Sequence, residues 1–186
     1  MNQPVFLVKV EGESISCLGS QLLDILATIM PYVEKLPWYA ADVEVNGSRP
    51  FNVGMQGFTS HKVGDVNDVV DLCKKVDQFK SGVFYQIAGG NKPAKEELST
   101  EDEEFRIIPN AVLEIRAFDT TYFEVYTSNE FVVTALRSRY TRFAVQSEQN
   151  TTIVHLLIPP SVMCETESGI MRLGKASLLS LSDDKK

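Results

Sequence analysis

Apolar and polar residues alternate along residues 111–118. Leu113, Ile115 and Ala117 fall on one side, and Glu114 and Arg116 on the other, flanked by Val112 and Phe118. That two-residue period predicts a half-buried strand. Asp119-Thr120-Thr121 supplies turn chemistry, and residues 122–126 (Tyr-Phe-Glu-Val-Tyr) read as the returning strand. A hairpin is predicted. Thr127-Ser128-Asn129-Glu130 has the spacing of a capping box, in which a hydroxyl and a carboxylate three residues apart satisfy each other's backbone N–H groups. Val132, Ala135, Leu136 and Tyr140 follow at helical spacing, with Arg137 and Arg139 near the end, where positive charge suits the helix dipole.

The N-terminal half shows the same kinds of pattern. Residues 5–10 form an almost continuous apolar run, as in a buried strand. From Ser20, residues Leu22, Leu23, Leu26, Ile29, Met30 and Val33 recur at helical spacing. Pro31 removes a backbone bond, so this helix should stop or kink near Met30, and Pro37 ends any continuation. Residues 38–45 predict a second strand closed by Asn46-Gly47. Residues 54–64 read as irregular. Asp65 or Asn67 can cap an amphipathic helix whose stripe is Val66, Val69, Val70, Cys73 and Val76, stopped by Ser81-Gly82. Residues 83–88 predict a strand, and residues 91–104 an exposed polar connection. Residues 143–145 and 151–158 read as strands, and residues 171–181 as a short helix.

The predicted fold class is α+β, a mixed and largely antiparallel sheet with about three helices packed mainly on one face. A tight hairpin joins antiparallel strands, which disfavours a doubly wound parallel sheet. Residues 1–160 are expected to form one domain and residues 161–186 a partly disordered tail.

Composition narrows the functional classes. The 186 residues are 44% hydrophobic, with a mean hydropathy of -0.07, as in ordinary soluble proteins. No apolar run approaches the ~20 residues of a membrane-spanning helix, and no signal peptide is evident, so no membrane partner is expected. Cys17, Cys73 and Cys164 are widely spaced and odd in number, which points to a reducing compartment and a cytoplasmic location. A net charge of -7 disfavours nucleic acid as a partner and suits a basic protein.

No residue set for catalysis stands out. His61 and His155 are the chain's two histidines, and no short-spaced cysteine pair accompanies them, so no metal site or cofactor is expected. Cys73 lies on the apolar stripe of its helix and reads as a small buried hydrophobe. Gly89-Gly90-Asn91-Lys92 is followed by Pro93 and an acidic run, unlike a phosphate loop. Glu114, Arg116 and Glu124 read as a cross-strand ion pair. The candidate partner-binding residues are the acidic run Glu96, Glu97, Glu101, Asp102, Glu103 and Glu104, and the aromatic pair Trp38 and Tyr39. For Trp38, packing in the core is the favoured reading.

Three stretches, residues 21–26 followed by Trp38-Tyr39, residues 83–87, and residues 122–126 leading into a helix, give an element order that resembles a small bacterial family of unknown function. The layout is also similar to that of small immunity proteins that neutralise toxins. The resemblance covers roughly the first 150 residues as an order of elements. It implies a bacterial or phage source and a protein partner, and no catalytic residues. The expected function is therefore a non-catalytic cytoplasmic protein-binding module, an immunity or inhibitor protein. The alternatives are a small enzyme whose site is dispersed over His61, His155 and Cys17, and a ligand-binding regulatory subunit, which requires a pocket.

Overall fold

Alternating burial along the strands builds one sheet with two unlike faces. The computed structural model describes residues 5–12, 14–47, 57–89, 91–140 and 142–147. Among these, seven strands are present: β1 (Phe6–Val10), β2 (Trp38–Asn46), β3 (His61–Gly64), β4 (Gln78–Ile87), β5 (Ala111–Phe118), β6 (Tyr122–Thr127) and β7 (Phe143–Ser147). Their spatial order is β3-β2-β4-β5-β6-β1-β7, and every pairing is antiparallel. Three helices, α1 (Gly19–Ile29), α2 (Val66–Cys73) and α3 (Glu130–Arg139), complete the α+β fold.

The helices share one core. Leu22, Ile25 and Leu26 of α1, Val69 and Cys73 of α2, and Val132 and Leu136 of α3 pack in one buried cluster with Val10, Trp38, Phe84, Ile115 and Val125 of the sheet. Residues on the alternate parity form a second, smaller cluster. There Ala41, Val83, Tyr85 and Ile87 meet Leu98 and Ile108, which come from the long connection between β4 and β5. The helices therefore cover one face, and an irregular chain segment covers part of the other.

Local chemistry sets several boundaries. Helix α1 ends at Ile29 and tightens into a 3₁₀ turn at Met30–Tyr32, as Pro31 dictates. Asp65 caps α2: its Oδ1 accepts from the N–H groups of Asn67 (2.7 Å) and Asp68 (3.3 Å), while Asp68 Oδ2 accepts from Asp65 N–H (2.8 Å). The hairpin turns through Asp119 and Thr120, both at positive φ (41° and 56°), with Thr121 N–H donating to Phe118 O at 2.8 Å.

Three expectations need correction. Helix α2 stops at Cys73, because Lys75 and Val76 donate to Leu72 O and Cys73 O in a turn; Ser81-Gly82 lies inside β4. Gly82 suits that strand because a Cβ there would come within 2.9 Å of the Phe84 ring. Residues 61–64 are not irregular but form the short edge strand β3 against β2. Helix α3 is capped by Asn129, whose side chain accepts from Phe131 N–H at 3.0 Å. Thr127 closes β6 instead, its hydroxyl accepting from Asn129 N–H at 3.0 Å. The strand expected at 151–158, the helix at 171–181 and the tail 161–186 lie outside the described residues.

Candidate partner-binding surface

Glu114 and Arg116 are the unexpected residues of the sheet. Their alternation suggested a solvated face, yet they are 0% and 1% exposed. The connection between β4 and β5 lies over them. Arg116 Nε donates to Glu114 Oε1 in a buried ion pair. Arg116 Nη2 donates to Arg106 O at 2.7 Å, and Nη1 reaches Asp102 O at 3.4 Å. The second carboxylate oxygen of Glu114 accepts from Ile108 N–H at 3.3 Å. The guanidinium also lies 5.0 Å from the Tyr126 ring centre, and Phe105 packs edge-on against the same ring. One arginine thus grips two carbonyls of the acidic segment from beneath.

Glu124, directly opposite Arg116 in register, extends the network. It accepts from Tyr126 Oη at 2.8 Å and faces Lys9 Nζ at 3.4 Å, while Lys9 reaches Glu104 at 2.6 Å. Burial pushes the Glu114 carboxyl up, against the pull of Arg116. Burial and the neighbouring Glu124 carboxylate raise the Tyr126 phenol too.

A second clasp holds the other end of the segment. β2 carries an irregularity between Ala41 and Glu44, and Asp42 there adopts a positive φ of 54°. This frees the Gly82 N–H of β4, which donates to Thr100 Oγ1 at 2.8 Å. Thr100 N–H donates in turn to Asp42 Oδ2 at 2.8 Å, and Leu98 N–H donates to Phe58 O at 2.8 Å.

The nominated residues separate accordingly. Glu96, Glu97, Glu101 and Glu103 are exposed, and among the described residues their carboxylates have no ion pair. Asp102 pairs with Arg106 at 2.7 Å and Glu104 with Lys9, so these two carboxylates tie the segment down. Lys92 and Lys95 precede the run and are also exposed. Tyr39 is half-buried on the same face, stacked on Tyr85, whose hydroxyl accepts from Ala94 N–H at 3.2 Å. Trp38 is 0% exposed in the helix-side core, the reading favoured for it, and so drops out of the candidate surface pair; neighbours on a strand point to opposite faces. Sequence reasoning missed Phe58, 48% exposed and bonded through its carbonyl to Leu98, two residues from Glu96. Its surroundings in the sequence carry no periodic signal that could have found it.

Of the dispersed-site residues, Cys17 and His61 lie among the described residues. Cys17 is fully buried, its thiol donating to Tyr122 O at 3.1 Å and pushed up to about 12 by desolvation. His61 is exposed on the edge strand β3, opposite Ala40. Cys73 is buried in α2 and its thiol is likewise pushed up to about 12. His155 and Cys164 lie outside the described residues. Among the described residues, no group of three or more His, Cys, Asp or Glu could hold a metal ion, and no helix is long and apolar enough to cross a membrane. The chain matches no protein-family model, no curated protein and no solved structure.

Proposed function

We propose that this chain is a non-catalytic protein-binding module that recognises a basic surface on a partner protein and acts by inhibiting or neutralising it. The observation that carries this reading is the mounting of the acidic segment. Arg116 and Thr100 hold its two ends by hydrogen bonds to backbone, while Glu96, Glu97, Glu101 and Glu103 stay free at the surface. A fixed array of charge loses less conformational freedom on binding than a loose tail does. It also steers a basic partner during encounter. Phe58 and the rim of Tyr39 add aromatic surface beside the charges, the kind of residue that anchors interfaces. The net charge of -7 favours the same class of partner.

The test compares the wild-type chain with E96K/E97K/E101K/E103K, both immobilised, in extracts at low and high salt. The expected result is a basic protein retained by the wild type alone and released by salt. Retention of the same proteins by both chains, independent of salt, overturns the acidic-surface reading.

A further inference from the structure

On the helix side of the sheet, away from the acidic segment, a cavity of about 550 Å³ opens between the 33–37 loop, β3 and the start of α2. Drug-sized and metabolite-sized ligands occupy cavities of this order. Its apolar walls include Leu36, Pro37 and Val66. Gln86 of β4 forms part of the inner lining and is 0% exposed. Gln86 Nε2 donates to Leu36 O (3.0 Å) and Glu34 O (3.4 Å), which fixes the orientation of the amide. Its Oε1 is buried and has no hydrogen-bond partner. A buried acceptor left unmet is unfavourable, and it selects for a donor. Trp38, opposite Gln86 in register, also has an unpartnered indole N–H.

The mouth has different chemistry. Lys35 and Lys62 line it and are exposed, with no ion pair among the described residues. Asp65 is the acidic group in the lining, and its Oδ1 is engaged in capping α2. The helix N–H groups it satisfies are thus closed to an anion, which leaves the two ammonium groups to meet one.

We infer that this cavity binds a small organic carboxylate with an apolar body and an O–H or N–H donor at its far end. The carboxylate sits at Lys35 and Lys62, the body lies against Leu36, Pro37 and Val66, and the donor meets Gln86 Oε1. The inference is independent of the acidic-surface reading and uses none of its residues.

Trp38 is the chain's single tryptophan, so its fluorescence reports on this site. The experiment titrates the full chain with para-hydroxyphenylacetate and with phenylacetate, which lacks the donor. It follows Trp38 emission and the Gln86 side-chain amide by NMR. Saturable binding of the hydroxylated acid at about millimolar or below is expected, at least about tenfold tighter than that of phenylacetate. Gln86→Leu strips donors from two backbone carbonyls and risks the fold. The decisive variant is therefore K35M/K62M, at exposed positions, expected to weaken binding about tenfold with an unchanged unfolding midpoint. The E96K/E97K/E101K/E103K chain should bind as the wild type does. No saturable response to either acid, equal affinity for both, or indifference to K35M/K62M overturns the assignment.

Discussion

Replacing Arg116 with methionine tests the clamp beneath the acidic segment. The variant keeps the stem and removes the guanidinium. Glu114, 0% exposed, then retains one described partner, the Ile108 N–H at 3.3 Å. Removing one member of a buried ion pair costs about 3–5 kcal/mol, because the other charge is left uncompensated. Against a typical total stability of about 5–15 kcal/mol, that loss is readily measured. The double variant E114L/R116M removes both charges. It leaves Arg106 O and Ile108 N–H short of a partner, at about 1–3 kcal/mol each if they stay buried. Relief of the desolvation of two ions offsets this by about 1–4 kcal/mol. At the middle of these ranges the double variant lies about 1.5 kcal/mol below wild type and above R116M. The pH dependence gives a second signature. Burial already holds the Glu114 carboxyl above its ordinary 4.5, and losing Arg116 removes the opposing pull. A carboxyl raised in the folded state favours folding when protonated, so stability is full below the ordinary value and is lost as pH rises through the raised one. The R116M deficit should therefore shrink between about pH 7 and about pH 5. Urea unfolding at both pH values measures it. A deficit for R116M below about 1 kcal/mol, one equal to that of the double variant, or one unchanged with pH would refute the reasoning.

Thr100→Val removes the acceptor of the Gly82 N–H inside the sheet and should cost about 1–3 kcal/mol in denaturant unfolding; an unchanged midpoint would count against the second clasp. Gly64 has a φ of +136°, and a Cβ there would collide with the Asp68 carboxylate that completes the α2 cap. Gly64→Ala should therefore cost about 1–3 kcal/mol in thermal unfolding, and a wild-type midpoint would contradict the strained geometry. Cys17 and Cys73, each pushed up to about 12 by burial, should resist alkylation at neutral pH until the chain unfolds, as read by peptide mass mapping. The thiol contribution to stability is complete below the ordinary value of 9.0 and is lost as pH rises toward about 12, so the chain should weaken in alkali. Hydrogen bonds from Arg139 and Tyr140 hold the Asp24 carboxyl below its usual 3.8. Asp24→Asn should give a small loss at neutral pH that disappears as acid protonates the wild-type carboxyl, and a loss that grows in acid would contradict the pairing.

The hairpin was legible because alternation, turn chemistry and strand formers all act within a few residues of one another. The stop of α1 was legible because Pro31 acts locally. The burial of Glu114 and Arg116 was not legible, since it depends on a covering segment with no period of its own. In that segment Leu98 stands alone among polar residues, and nothing local separates the buried Ile108 from Phe105 and Ile107 beside it. Strand β3 was missed because a short edge strand, His61–Gly64, pairs through backbone and has little apolar content. The acidic run could be read as charge, but not as a mounted surface, because its anchors sit on β5 and on the irregular part of β2. Trp38 and Tyr39 are adjacent in sequence, and only the register of β2 decides which of them faces the helices. The Gln86 cavity draws its walls from separate segments, which no single stretch of sequence brings together.

Backbone amide hydrogen exchange of the segment between β4 and β5 measures its mounting without any partner. The N–H groups of Leu98, Thr100 and Ile108, and that of Gly82 beneath, each have an acceptor within 3.3 Å and should exchange slowly in the wild type. In R116M the Ile108 amide should lose protection first. Exchange of all four in the wild type at the rate of an unstructured peptide would contradict a fixed acidic surface.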